Sequence, residues 1–235
     1  MKAKLARLIG LTILLVLCLF NIASGHNHLE LKKQQTSIKG NILASESGLP
    51  LTNGTIYLDQ QQVSFSDGYY EINNLKPGLY LIKIEGPFRR PYENTLLIEP
   101  GTNRIDFSLD SRFSTEEIHL LARITRAEAE GESKLGQTAV AATILNRVLS
   151  NKYPNSIQEV VYQTINGRYQ YSPVYDGRIN VKPRFEDYQA AYLALAGHDP
   201  TYGATGFFNP AKTRDAWVHS QKVTTQIGGH RFFIY

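Results

Sequence analysis

The chain has 235 residues, 42% of them hydrophobic and 20% charged, a balance that excludes disorder over most of its length and can fill two small packed units. Its formal charge of +4 includes Lys2, Lys4 and Arg7, so the rest sits at about +1, with basic residues scattered among acids, and no nucleic-acid partner is expected. The single cysteine, Cys18, lies in the first 25 residues, so neither a disulfide framework nor a cysteine-built metal site is available beyond them.

Residues 1–25 read as an export signal: the three cations precede an apolar run from Leu8 to Phe20, and Ala23-Ser24-Gly25 places small residues where a signal peptidase cuts. The alternative is an uncleaved anchor, although the run is shorter than the ~20 residues that cross a bilayer. Lipid attachment at Cys18 is disfavoured by Leu17, where a small side chain is required.

Residues 36–110 alternate with the period of half-buried strands, as in Tyr80, Ile82 and Ile84 against Leu81, Lys83 and Glu85. Turn pairs such as Asn53-Gly54, Asp67-Gly68 and Pro77-Gly78 separate the runs, so about seven short strands in an antiparallel β-sandwich are expected. The segments Gly40-Asn41-Ile42-Leu43, Gly48 to Ile56, Asp67 to Ile72 and Leu75 to Tyr80 resemble the carboxypeptidase-regulatory-like β-sandwich family. That resemblance implies a scaffold on secreted proteins and brings no catalytic residues; a spacer and a wall-binding module both remain open.

Residues 114–235 read as an α+β unit in which helices dominate. Ser114 and Glu117 form a capping box for a helix expected to stop near Gly131. Ser133 caps a second through about Asn151, with Leu135, Ala139, Ala142, Leu145 and Leu149 as its buried stripe. Ser156 starts a third, and a fourth runs from about Phe185 to Ala196, followed by loops with short strands near Gly206 to Phe208 and Gln221 to Thr225. The connection from Leu109 to Ser114 is short and not Gly- or Pro-rich, so the two parts are expected to touch.

The densest chemistry is Arg126-Ala127-Glu128-Ala129-Glu130-Gly131-Glu132. On a helix, Glu128 and Glu132 share a face and Glu130 does not. Alanines beside Glu128 allow close approach and surround the carboxyl with apolar surface that favours its acid form. The same cluster is also compatible with an ordinary solvated helix end.

This string, with Gly136-Gln137, Asn146-Arg147, Gln170-Tyr171-Ser172-Pro173, Asp176-Gly177, Phe207-Phe208-Asn209-Pro210, Trp217 and Gly228-Gly229-His230-Arg231-Phe232-Phe233, resembles the SleB/CwlJ cell wall hydrolase family. The resemblance implies a lysozyme-like, mainly helical catalytic unit in which Glu128 is the single catalytic carboxylate of a peptidoglycan lytic transglycosylase. Glu128 would protonate the departing glycosidic oxygen and then, as carboxylate, deprotonate the C6 hydroxyl of the same muramic acid as it attacks C1. Glu132 is a second carboxylate, expected more as a local hydrogen-bonding partner. Gln170, Ser172 and Asn209 suit N-acetyl and hydroxyl groups; Tyr171 and Trp217 suit sugar faces or a core; His230 enters only through the family pattern. Tyr171 replaces the usual Phe, and Asn166 to Tyr169 lengthens the approach to Gln170.

The expected partner is the peptidoglycan glycan strand, with cell-wall or spore-coat association, a monomeric state, a secreted location and a role in spore cortex lysis during germination. No His-Glu-x-x-His set occurs, so no metal or other cofactor is expected. Rival readings are a zinc-type N-acetylmuramoyl-L-alanine amidase, a muramidase that uses water, and a non-catalytic wall-binding or spore structural protein.

Overall fold

The structure is a computed structural model that describes residues 35–235, so the expected export signal lies outside the described residues. Strands β1 (Thr36–Ala44), β2 (Asn53–Leu58), β3 (Gln61–Ser66), β4 (Tyr69–Leu75), β5 (Gly78–Glu85), β6 (Tyr92–Ile98), β7 (Thr102–Arg104) and β8 (Phe107–Leu109) come first. They pair in the order β6-β5-β2-β3-β4-β1-β7, with β8 also on β1. Period-two alternation sets the core: Ile82 and Ile84 of β5 are buried with Ile38, Ile42, Ile56, Ile72 and Ile98, while Leu81 stands 68% exposed. The expectation of a purely antiparallel arrangement is corrected at β1, which pairs β4 antiparallel but β7 and β8 in parallel. After β6, the turn at Pro100-Gly101 carries the chain to the far edge of the sheet instead of folding it back on β6.

Helices α1 (Thr115–Ala129), α2 (Lys134–Leu149), α3 (Ile157–Val161), α4 (Ser172–Asp176), α5 (Phe185–Leu195) and α6 (Ala216–His219) follow. Between and after them lie the hairpin β9 (Thr164–Ile165) and β10 (Arg168–Tyr169), and a three-stranded sheet of β11 (Gly206–Phe208), β12 (Val223–Ile227) and β13 (His230–Phe233). Only 29% of the described residues are helical, so the expected mainly helical character of residues 114–235 is not supported. The aromatic and Gly-rich stretch after α5 has no helical period and folds as turns and sheet.

The start signals act as their chemistry requires. Ser114 accepts from the Glu117 amide and Glu117 reaches back to the Ser114 amide, Ser133 accepts from Gly136, and Ser156 accepts from Glu159. Two details differ from expectation. Glu130 ends α1 in right-handed conformation and the turn closes through the Glu132 amide to Ala129 O (3.0 Å), without a left-handed Gly131. The stripe expected on α2 fails at its ends, where Leu135 and Leu149 are 55% and 59% exposed. Between them, Gly136 to Leu145 is buried without a break because α1, α3, α5 and the small sheet pack around this central helix.

The two parts touch at the C-terminal end of α5. Arg89, in the loop after β5, is fully buried; its Nη2 donates to Leu195 O (2.7 Å) and its Nη1 pairs with Glu46 at 2.5 Å. The Thr52 amide donates to Ala196 O (2.9 Å), and Ala196 itself packs into the core of the β-rich part. Gly197, at φ +103°, completes the contact: a Cβ there would lie 2.2 Å from Thr52 Oγ1. Phe88 packs in turn with Phe113 in the helical core. Arg89→Ala strands Glu46 and an orphan helix carbonyl at this junction, and denaturant unfolding is expected to show a loss of about 3 kcal/mol; a loss below about 0.5 kcal/mol would contradict this role.

Candidate active site

The last turn of α1 is pinned by two side chains that donate to its carbonyls. Arg178 Nη1 donates to Ala127 O (2.8 Å), and Gln137 Nε2 donates to Ala129 O (3.4 Å). Glu128 lies between these anchors and lines a groove of about 530 Å³. Ala127, Tyr171, Phe207, Phe208 and Val218 form the apolar part of its wall, and Gln170, Ser172, Asn209, Thr213, Arg147, Arg178, Lys212 and His230 the polar part.

Burial pushes the Glu128 carboxyl up to about 7 from 4.5; Arg178 opposes the shift, Asp176 adds to it and Lys212 opposes it. Arg178 is partly neutralised, because it forms a bidentate pair with Asp176 (Nε 3.0 Å and Nη2 2.8 Å to Oδ2 and Nε 3.1 Å to Oδ1). Its Nη2 also donates to Ser172 Oγ (3.2 Å), fixing the start of α4 along the groove. Near neutral pH the site therefore holds a carboxyl that can both give and take a proton.

Of the residues singled out from sequence, Glu128, Gln170, Tyr171, Ser172, Asn209 and His230 share this groove, while Glu132 and Trp217 do not line it. Helix α1 ends before Glu132, so the helical i, i+4 relation to Glu128 does not operate. The Glu132 carboxylate instead accepts from the Gly229 amide at 3.2 Å through each oxygen. Trp217 stands 51% exposed and meets the rings of Phe233 and Tyr235 edge-on. Glu130 faces solvent and pairs with Arg126 and Arg184. Tyr171 is buried, and burial pushes its phenol up to about 12. The lengthened approach to Gln170 forms the exposed β9-β10 hairpin.

Arg178, Lys212 and Thr213 were not singled out by sequence, since they lie in a 3-10 turn and an irregular loop without periodic signal. Arg147 was visible only as part of the Asn146-Arg147 pair. Its Nε donates to Thr205 O (2.6 Å), and its guanidinium lies 5.0 Å from the ring centre of Tyr153 and 5.2 Å from that of Tyr171. Among the described residues, no cluster of three or more His, Cys, Asp or Glu is placed to hold a metal ion.

The cell wall hydrolase family matches residues 131–233, beginning just past Glu128. A spore cortex-lytic enzyme of Halalkalibacterium halodurans is 36% identical over 135 residues, which cover 57% of this chain and 38% of that protein. The cell wall hydrolase CwlJ of Oceanobacillus iheyensis is 33% identical over 100 residues, 40% of this chain and 69% of that protein. Among solved structures, the catalytic domain of the germination-specific lytic transglycosylase SleB from Bacillus anthracis is 34% identical, covering 52% of this chain and 97% of that one with a TM-score of 0.48. This chain thus spans well under half the length of the cortex-lytic enzyme it matches.

A carboxyl that keeps its proton to about pH 7 when folded, but releases it near 4.5 when unfolded, lowers stability as pH rises through that window. Glu128→Gln cannot ionise. At pH 8 its unfolding free energy is expected to exceed that of the parent by up to about 3 kcal/mol, with no gain at pH 4; an equal effect at both pH values would contradict the shielded carboxyl.

Proposed function

Because this chain belongs to the cell wall hydrolase family, we propose that its groove cleaves the MurNAc-GlcNAc bond of peptidoglycan as a lytic transglycosylase, with Glu128 as the single acid and base. The observation that carries this reading is the position of Glu128: a carboxyl shielded enough to stay protonated near neutral pH and open to a groove that, among the described residues, no other carboxylate lines, while nearby Asp176 is paired with Arg178.

A glycosidic oxygen leaves poorly as an alkoxide, so it must gain a proton as the bond to C1 breaks. Glu128 gives that proton and becomes a carboxylate, which Arg178 and Lys212 stabilise electrostatically. The sugar then carries oxocarbenium character. The C6 hydroxyl of the same residue attacks C1 while Glu128 takes the hydroxyl proton, which closes a 1,6-anhydro ring and restores the acid. Because the nucleophile is tethered, an effective molarity of ~10⁵ M or more replaces a bound water, and no second catalytic carboxylate is needed. Gln170 and Asn209 supply amide groups for N-acetyl and hydroxyl recognition, and Tyr171 and Phe207 supply apolar wall.

We place the action outside the cytoplasm, on cell wall or spore cortex during germination, by analogy with the cortex-lytic relatives. The β-rich part, which we take as a carboxypeptidase-regulatory-like domain over residues 36–110, braces the catalytic part over 114–235 through Arg89 and Thr52.

Mass spectrometry of digested peptidoglycan tests the reaction. Soluble fragments are expected to end in 1,6-anhydromuramic acid, to form equally in strong chelator, and to fall by at least about 10³-fold in Glu128→Gln. Reducing muramic ends alone would point to a muramidase, and freed stem peptides lost on chelation to an amidase. Binding without fragments would point to a wall-binding protein.

A further inference from the structure

Glu132 belongs to the same motif as Glu128, yet the proposed reaction leaves it unused. Its side chain occupies a slot lined by glycines: in its present position a Cβ on Gly228 would lie 1.9 Å from Oε2, one on Gly229 2.9 Å from Oε1, and one on Gly136 2.9 Å from the Glu132 Cβ. The Gly229 amide donates into this slot, and the next residue is His230, whose Nδ1 lies 3.4 Å from Glu132 Oε1. That Nδ1 is buried and makes no hydrogen bond among the described residues; Glu132 Oε1 faces it just beyond bonding geometry. The imidazole meets Phe207 edge-on at 5.4 Å and Phe232 at 6.3 Å, and it also lines the groove that holds Glu128.

The aromatic contacts hold the ring with Nδ1 toward Glu132. Burial holds His230 below its usual range, with Lys212 reinforcing and Glu132 opposing the shift, so the ring is neutral near pH 7 and carries a single proton. The atom facing Nδ1 is a carboxyl oxygen that already accepts from the Gly229 amide, so a proton on Nδ1 meets an acceptor and the lone pair is left on Nε2. Two other acceptors of the groove are already engaged: Ser172 Oγ by Arg178 and Asn209 Oδ1 by the Ala211 amide.

We propose that Glu132 is a positioning residue that locks His230 in its Nδ1-H tautomer, presenting Nε2 to the groove as an acceptor for a hydroxyl or amide N-H of the bound amino sugar. The choice of an amino sugar rests on the glycan-cleaving reading of the groove, whereas the tautomer does not.

Long-range proton-nitrogen NMR on the full chain at pH 7.5 reads the tautomer directly. The expected result is Nδ1-H for His230, with an appreciable Nε2-H population in Glu132→Gln. Nε2-H in the parent protein, or an unchanged Nδ1-H signal in Glu132→Gln, overturns the proposal without reference to activity. In glycan release, His230→Gln places its amide near the Nε2 position and His230→Asn near that of Nδ1. The first is expected to retain about tenfold more activity than the second, the scale of one hydrogen bond; equal activities of the two overturn the assigned contact. Full activity of Glu128→Gln would remove the glycan-cleaving reading and leave the tautomer result standing.

Discussion

The whole site depends on one constraint: a half-buried carboxyl placed at the carbonyl end of a helix, where desolvation and the helix dipole both disfavour negative charge. Helix α1 cannot simply fray there to release Glu128 to solvent, because Arg178 and Gln137 hold its final carbonyls from opposite sides. Arg178 matters twice, since it pins the helix and also sets a positive charge beside the Glu128 carboxyl that favours its ionised form. Asp176 holds that guanidinium in place and moderates its charge, which keeps the resting acid from ionising too readily.

The remaining architecture serves to hold the walls opposite this helix end. Central helix α2 carries Arg147 to the groove and anchors it on Thr205 next to β11, so the helical core and the small sheet are tied beneath the site. The tight turn between β12 and β13 packs its glycines over Glu132 and delivers His230 to the far wall. The β-rich part lies outside this arrangement but is joined to it through buried contacts at the end of α5, one of which is a fully desolvated guanidinium. Such a junction favours a fixed orientation over a swinging linker.

Local signals in the sequence carried much of this. Ser114, Ser133 and Ser156 mark helix starts because a hydroxyl three residues ahead of a waiting amide is a short-range interaction that needs no tertiary context. Alternation in Tyr80 to Glu85 likewise assigned the inner and outer faces of β5. Parallel pairing on β1 was not legible, since nothing within β7 or β8 records which distant strand receives them. The one-sided stripe on α2 misled at Leu135 and Leu149 because burial there depends on how many neighbours surround the helix. At the site, Glu128 stood out through its alanine flanks and motif, whereas Arg178 and Lys212 are brought in by turns that carry no period. The helical face shared by Glu128 and Glu132 does not form, because Glu132 lies three positions beyond the last helical residue and accepts from the Gly229 amide instead.

A site-resolved titration of the Glu128 side-chain carboxyl carbon by NMR, in the otherwise unaltered protein, probes the central claim most directly. The account predicts a midpoint near pH 7, with the proton still bound at pH 6. A midpoint near 4.5, the value of an exposed glutamate, would show a carboxyl already ionised at neutral pH and would contradict it.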